Sequence, residues 1–172
     1  MNSTLIIRNI GRFLLLMLLQ VLVFDNIYLG GYINPCLYVL FIAMLPTSTK
    51  PIPMMLIAFF TGLVADIATN MLGFNAFACT AVAFLRSVWL DKILTSDNDE
   101  EVEMPSIRTG SYQRFLFFLF LVLLIFNLIY HTLLVFDIRE FFGVLLTALL
   151  STIVTWILAI IYQSLLIRKV EN

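Results

Sequence analysis

Charged side chains are scarce in this chain of 172 residues, since only 12% of them are Asp, Glu, Lys or Arg, whereas 62% are hydrophobic. Soluble domains usually contain roughly 45–50% apolar residues. A water-soluble protein of this size would have to cover its surface with polar side chains, but long stretches of this sequence hold no ionisable group. The composition therefore predicts an integral membrane protein surrounded by the lipid bilayer.

The chain also lacks the residues that several other kinds of function require. Its formal net charge of −1 excludes the broad basic surface that nucleic-acid binding needs. His131 is the single histidine, and neither Cys36 nor Cys79 has the spacing of a metal ligand, so the cysteines are expected to be buried free thiols. Without a serine-nucleophile motif or a glycine-rich phosphate loop, the sequence predicts no enzyme, metal or cofactor.

Six apolar segments follow one another along the chain. They cover residues 5–28, 32–46, 51–70, 74–90, 115–136 and 141–167. A spanning helix needs about 20 residues, so the second segment is short, although its Asn34-Pro35 pair is typical of a helix N-cap and first turn. Gly73 is expected to form a tight turn that makes the third and fourth segments a helical hairpin. The predicted fold is one all-α domain over residues 1–172, a bundle of six transmembrane helices.

The lysines and arginines predict the orientation of this bundle. With six spans, nine of the ten fall on one side of the membrane and only Arg139 on the other. Because short basic loops resist translocation, both termini are expected in the cytoplasm, together with the acidic loop over residues 91–113. That loop is either a solvated connection or a docking site for a basic partner. The second and third segments could also be re-entrant instead of spanning. Removal of two spans leaves both termini on the same side of the membrane, so the distribution of lysine and arginine does not decide between these alternatives.

Asp66 is the most informative polar residue, because a carboxylate in an apolar segment needs either water or a fixed partner. The candidate partners on the same side are Asn70, Asn75, His131 and Arg139, or a donor from another protein. Gly62 and Ala58 precede Asp66 at intervals of four residues, and small residues let helices approach closely in lipid. This face is expected to pack within the chain or against the helix of a partner.

A similar face occurs in the sixth segment. Ala148, Thr152, Thr155 and Ala159 share one side of a helix at spacings of four, three and four residues. This pattern predicts a packing seam, either against the chain's own helices or against another subunit.

The order of these elements resembles that of a known family. Ile33-Asn34-Pro35, Phe60-x-Gly62-Leu63-x-x-Asp66, Gly73-Phe74-Asn75-Ala76 and Phe84-Leu85-Arg86, all within residues 30–90, are similar to the bacterial rod shape-determining protein family MreD, particularly its Bacteroidetes-like members. The resemblance implies a multi-pass protein of the bacterial cytoplasmic (inner) membrane. It also implies a non-enzymatic scaffold of the cell-elongation machinery, which supports peptidoglycan synthesis and cell shape.

The resemblance further implies partners and site residues. The direct partner would be MreC, which has one membrane span and a periplasmic coiled coil, and the indirect partners would be MreB filaments, RodA and a penicillin-binding protein. The residues expected to bind a partner or to shape the site are Gly62, Leu63, Asp66, Gly73, Asn75 and Pro35.

Transport is the alternative function, because the family resembles in fold the six-helix substrate-binding subunits of vitamin importers. Those subunits typically carry an Ala-x-x-x-Ala seam in the first helix for docking to their energising partner, whereas the first alanine of this chain is Ala43. An outer pocket near Asp66, Asn75 and His131 remains as a candidate ligand site, since a six-helix fold alone does not establish a function.

Overall fold

The computed structural model describes residues 3–26, 33–90 and 112–171, and no β-strand occurs in these ranges. The helices are α1 (Ser3–Leu22), α2 (Val39–Ala43), α3 (Pro51–Thr69), α4 (Phe74–Leu85), α5 (Tyr112–Val135) and α6 (Phe141–Glu171). Short 3₁₀ turns follow α1 and precede α6, at Phe24–Asn26 and Ile138–Glu140, and a π-helical turn, Arg86–Leu90, extends α4. The predicted all-helical class is confirmed, whereas residues 91–111 of the acidic loop lie outside the described residues.

Four stretches within the described ranges are long and apolar enough to cross a membrane. They are Asn9–Asn26, Pro51–Thr69, Gln113–Val135 and Phe141–Leu165, and Phe74–Val88 is a shorter apolar helix. Many of their outward side chains are large and apolar, such as Ile52 and Ile67 of α3 and Leu146 of α6. Apolar side chains on the outside suit a hydrocarbon environment. The backbone of a helix suits it as well, because its polar groups form hydrogen bonds within the helix.

The second apolar segment differs from the prediction. Residues 33–38 are not helical, and α2 has only the five residues Val39–Ala43, with Tyr38 at its N-cap position. The expected helix start at Asn34-Pro35 is therefore wrong. Residues 34–37 are not helical because side chains from other helices bind their backbone. These hydrogen bonds satisfy the backbone polar groups that a helix would otherwise satisfy.

The α3–α4 pair forms the helical hairpin that Gly73 predicts. Gly73 has a φ of +91°, a left-handed conformation that glycine adopts without a steric penalty. Asn70 ends α3 with a φ of 54°, which asparagine tolerates better than most residues. The hairpin therefore turns within four residues and brings the last turn of α3 against the first turn of α4.

Residues 33–45, here called the core segment, lie inside the bundle. All ten residues from Cys36 to Leu45 are buried. Helix α4 packs against α3 and α5, α5 packs against α6, and the core segment contacts α1, α4 and α5. A non-helical stretch at membrane depth is tolerated only where protein surrounds it, and the core segment meets that condition.

The predicted seam of α6 is internal. Its four residues are fully buried within this chain. The Thr152 hydroxyl accepts a hydrogen bond of 3.2 Å from Asn127 Nδ2 of α5, and Trp156 Nε1 donates to the Leu116 carbonyl at 3.1 Å. Of the two alternatives for this seam, packing against the chain's own helices is the one that the structure contains.

Candidate functional site: a buried polar network around the core segment

Asp66 binds the first turn of α4 with both oxygens of its carboxyl group. Oδ1 accepts hydrogen bonds from the backbone N–H and the side-chain Nδ2 of Asn75, at 3.0 and 3.1 Å, and Oδ2 accepts from the N–H of Ala76 at 2.8 Å. Asp66 is only 2% exposed. Of the readings that the sequence allowed, the fixed partner is therefore correct, and Asn75 is that partner.

This arrangement supplies α4 with an N-cap from another helix. The residue at the N-cap position is Gly73, which has no side chain to accept the free N–H groups of the first turn. Asn75 and Ala76 occupy the N2 and N3 positions, whose N–H groups an N-cap side chain ordinarily binds. A carboxyl group at a helix N-terminus also interacts favourably with the helix dipole. Asp66 therefore allows Gly73 to make the turn without leaving α4 uncapped.

Gly62 lies one helical turn before Asp66, where the backbones of α3 and α4 approach each other closely. A Cβ atom added to Gly62 would come within 2.5 Å of the Ala76 Cα and the Asn75 carbonyl oxygen. No side chain fits there without moving the α4 backbone. Ala58, the third member of this face, is fully buried. The small face of α3 thus packs within the chain, which is one of the two alternatives that the sequence left open.

Asn75 connects the Asp66 cap to the core segment. Its Oδ1 accepts a hydrogen bond of 2.6 Å from the Tyr38 hydroxyl, while its Nδ2 donates to Asp66. The Tyr38 ring packs edge-on against Phe126 of α5, with their centroids 5.9 Å apart. A single buried chain of contacts therefore runs from α3 through α4 and the core segment to α5.

Gln20 of α1 holds the non-helical half of the core segment from one side. Its Nε2 donates to the Pro35 carbonyl at 2.8 Å and to Asp25 Oδ1 at 2.7 Å, and its Oε1 accepts from the Leu37 N–H at 2.8 Å. The amide of Gln20 thereby satisfies one backbone acceptor and one backbone donor in place of the missing helical partners. Gln20 is thus one polar attachment of α1 to the bundle.

Helix α6 also binds the non-helical half of the core segment. Ser151 Oγ accepts a hydrogen bond of 3.1 Å from the Asn34 N–H, and Thr155 Oγ1 accepts one of 3.3 Å from the Cys36 N–H. Both residues are fully buried, and the Thr155 hydroxyl also donates to the Ser151 carbonyl one turn back at 2.7 Å. Ser151 and the seam residue Thr155 therefore bind the backbone of the core segment as well as allowing close packing.

Arg86 binds the other end of the core segment. Its side chain is fully buried, and its guanidinium group donates to the carbonyl oxygens of Ile42 and Leu45. Ile42 lies in the last turn of α2, and Leu45 lies two residues after the helix ends. The guanidinium carbon lies 5.7 Å from the centroid of the Phe118 ring of α5, a cation–π distance. A cation at the carbonyl end of a helix is electrostatically favourable. Arg86 thus caps α2 from α4.

The structure gathers most, but not all, of the predicted site residues. Gly62, Asp66, Gly73 and Asn75 meet where α3 turns into α4, and Pro35 joins them indirectly through Gln20 and the core segment. Leu63 is half-buried and lines a shallow surface depression beside Asp66. The prediction did not single out Gln20, Tyr38 or Arg86 as site residues. The sequence signal for Gln20 is a polar side chain in an apolar run, and Arg86 is a charged side chain at the end of such a run and part of the Phe84-Leu85-Arg86 motif.

His131 does not bind Asp66, whose hydrogen-bond partners are Asn75 and Ala76. It is 6% exposed and therefore buried in the bundle, and its ring centroid lies 5.3 Å from that of Tyr130. Within the described residues, the buried atoms His131 Nε2 and Asn127 Oδ1 have no hydrogen-bond partner. The same part of the chain holds no group of three or more His, Cys, Asp and Glu residues that could hold a metal ion. Cys36 and Cys79 are buried free thiols, as expected.

A small polar cavity lies between α1, the core segment and the α3–α4 hairpin. Its volume is about 10 Å³, and its polar lining includes Gln20, Asn34, Tyr38, Asn75 and Tyr130. A cavity needs about 10–15 Å³ open to the centre of a water-sized sphere to hold one water molecule. The space beside the network therefore suits a single water molecule rather than an organic ligand.

Comparison with protein-family models, with characterised proteins and with solved structures gives no match to this chain.

Proposed function

We propose that this chain is a non-enzymatic membrane scaffold of the bacterial cell-elongation machinery. In this proposal it is an inner-membrane protein of six membrane segments with both termini in the cytoplasm, and it binds an MreC-like protein that has one span and a periplasmic coiled coil. Through that partner it supports peptidoglycan synthesis by the complex that contains MreB filaments, RodA and a penicillin-binding protein. The motifs that resemble those of the MreD family and the distribution of lysine and arginine support this proposal.

One structural observation carries the preference for a scaffold. The polar side chains of the shared motifs bind one another and the backbone, as Asp66 binds Asn75 and Ala76 and Arg86 binds the end of α2. These contacts fix the positions of the helices relative to one another, so the outer surfaces of the helices keep a defined arrangement. A protein that acts only by binding other membrane proteins requires such a fixed surface.

The size of the polar cavity beside Asn75 argues against a ligand held inside the bundle there, as the importer alternative would have it. A ligand-binding cavity typically has a volume of about 300–1,000 Å³, whereas the polar cavity of this chain has about 10 Å³. A vitamin-sized molecule would have to separate α1 from the core segment, which would break the hydrogen bonds of Gln20 to Pro35 and Leu37. The polar interior therefore favours a structural role.

Purification of the tagged full-length chain from its native membranes in a mild detergent tests the proposal. We expect mass spectrometry to identify a single-span protein with a periplasmic coiled coil as the stable companion. The Asp66→Asn variant should recover less of this companion while inserting into the membrane normally, because α4 is displaced. A bound vitamin-like molecule, an ATP-hydrolysing companion, or no companion would contradict the proposal.

A further inference from the structure

The side chains that line the polar cavity differ in how completely they are hydrogen-bonded. Gln20 uses both atoms of its amide, and the Tyr38 hydroxyl donates to Asn75 Oδ1 at 2.6 Å. Asp25, Asn34 and Tyr130 line the same cavity but keep hydrogen-bonding capacity that no described residue uses. These three side chains come from the turn after α1, the core segment and α5, so the cavity lies where three parts of the bundle meet.

The Tyr130 hydroxyl is a buried donor without an acceptor. Tyr130 is only 2% exposed, and its ring is stacked on that of Phe126, with the centroids 5.8 Å apart. Within the described residues, the one hydrogen-bonding neighbour of its hydroxyl is Asn34 Nδ2, at 3.5 Å. A well-formed bond of this kind spans about 2.7–3.2 Å, so this contact is weak. Buried tyrosine hydroxyls usually have a partner, and the cavity is the space in which Tyr130 could find one.

Two acceptors line the cavity together with Tyr130. Asp25 Oδ1 accepts from Gln20 Nε2 at 2.7 Å, while Asp25 Oδ2 has no donor in the described part of the chain. The side-chain oxygen of Asn34 also has none there, since the Asn34 N–H and Nδ2 are the groups that contact Ser151 and Tyr130. The cavity therefore combines one unused donor with two unused acceptors around a space of about 10 Å³.

We propose that one water molecule binds in this cavity and connects Tyr130 to Asp25 and Asn34. The water accepts the hydrogen bond of the Tyr130 hydroxyl and donates its two protons to the Asp25 carboxylate and the Asn34 side-chain oxygen. A metal ion cannot accept the Tyr130 proton, and an ammonium group can only donate. A buried water typically makes about three hydrogen bonds to groups that would otherwise be unsatisfied, which is the number available here.

This water extends the polar network from α1 to α5. The hydrogen bonds of Gln20 reach only Asp25 and the core segment. Through the water, the turn after α1 is also connected to Tyr130 of α5. The proposal does not depend on the scaffold function, because it concerns the interior of this chain alone.

A structure of the purified full-length chain at a resolution that shows ordered water tests the site directly. We expect one density peak about 2.7–2.8 Å from Tyr130 Oη, the usual length of a hydrogen bond between two oxygens. The same peak should lie within hydrogen-bond distance of Asp25 or Asn34. An empty cavity in a map that shows other buried waters would overturn the proposal.

A double-mutant cycle tests the bridge in solution. Asp25→Ala removes the Gln20 contact in every background, but it removes the water-mediated contact only where Tyr130 keeps its hydroxyl. We therefore expect Asp25→Ala to lower the Tm less in the Tyr130→Phe background than in the wild-type chain, because residues that share a network do not act additively. Equal decreases in the two backgrounds would overturn the bridge.

Tyr162→Phe supplies the matched background. The Tyr162 hydroxyl is buried without a hydrogen-bond partner in the described residues, and Tyr162 does not line the cavity. The effects of Asp25→Ala and Tyr162→Phe on the Tm should therefore add, since the two sites share no partner. Non-additivity of the same size as with Tyr130→Phe would show that the cycle does not report on the cavity, and would overturn the proposal.

Salt exchange distinguishes water from a metal ion. We expect the same Tm in sodium, potassium and choline chloride at equal ionic strength, since water binding needs no particular cation. A Tm that depends on the cation in the wild-type chain but not in Asp25→Ala would assign the cavity to a metal ion instead of water. None of these results alters the companion-binding test of the scaffold function, so the two proposals fail separately.

Discussion

Gly62 of α3 and Ala76 of α4 are in backbone contact, because a Cβ on Gly62 would stand 2.5 Å from the Ala76 Cα. Real Cβ atoms do not approach that closely, so the separation of the two helices is set by the absence of a side chain. The same short separation lets the Asp66 carboxyl group reach the first N–H groups of α4. Close packing and capping are therefore two results of one glycine.

Substitution of this glycine should destabilise the protein. Gly62→Ala forces α4 away from α3, and we expect it to cost about 1–3 kcal/mol, the usual cost of overpacking. That corresponds to a fall in Tm of about 2–4 °C for each kcal/mol in a chain of this size. Thermal unfolding of the purified protein in detergent measures it.

Gly143→Ala is the matched control for that variant. Gly143 is a helical glycine of α6, and nothing lies within 4 Å of a Cβ added there. Alanine has the better helix propensity by up to about 1 kcal/mol, so the control should be neutral or slightly stabilising. An equal loss of stability in both variants would show that the contact between α3 and α4 is not tight.

Asp66→Asn should uncap α4 while leaving the shape of the side chain nearly unchanged. The amide keeps one acceptor, but its NH₂ group then faces an N–H donor of Asn75 or Ala76. We expect a loss of about 1–3 kcal/mol, the usual cost of leaving a buried polar group unsatisfied. Hydrogen exchange should accelerate at the Asn75 and Ala76 amides, while the middle of α5 keeps its protection. Unchanged exchange at these two amides would refute the cap.

Tyr38→Phe should weaken the connection between the core segment and α4. It removes the hydroxyl that donates to Asn75 Oδ1 and leaves that oxygen buried without this donor, at a cost of about 1–3 kcal/mol. Tyr162→Phe is the control, because the buried Tyr162 hydroxyl has no hydrogen-bond partner within the described residues. A melting curve that shifts as much for Tyr162→Phe as for Tyr38→Phe would contradict the proposed role of this bond.

Arg86→Gln should release the end of α2. The Ile42 and Leu45 carbonyls would lose a charged donor, and each buried acceptor left unpaired costs about 1–3 kcal/mol. Arg86→Lys should recover part of the loss, since lysine keeps the charge but not the planar fork of donors. Arg139→Gln, at an exposed residue of the α5–α6 turn, should leave the Tm almost unchanged. Chemical denaturation of the three variants measures the order of stabilities.

The hairpin was predictable because its signals are local. Gly73 interrupts two apolar runs, and a small residue one turn before Asp66 is a recognised packing pattern. The capping residue is harder to predict from the sequence. An N-cap pattern concerns the residue at the start of the helix, which is Gly73, whereas the cap of α4 comes from Asp66 on the preceding helix. The sequence offered Asn75 only as one of several candidate partners.

The core segment was misread for a physical reason. Asn34-Pro35 is a frequent helix start, and a sequence pattern cannot reveal that Gln20 and Thr155, from helices far apart along the chain, bind the backbone of this stretch instead. Arg86 likewise gives no local sign of its partners, because a cation near the end of an apolar segment ordinarily reaches the headgroups. Its carbonyl partners belong to a segment 41 and 44 residues away and become visible only in three dimensions.

The hydroxyl groups that bind the Asn34 and Cys36 N–H groups belong to α6, 117 and 119 residues further along the chain. A nascent chain therefore carries these two amides without their acceptors until α6 has been synthesised, and an unsatisfied amide in hydrocarbon costs several kcal/mol. The core segment can reach its final depth only after α6 has been inserted. A premature stop before Ser151 would consequently yield a substrate for membrane quality-control proteases instead of a smaller bundle.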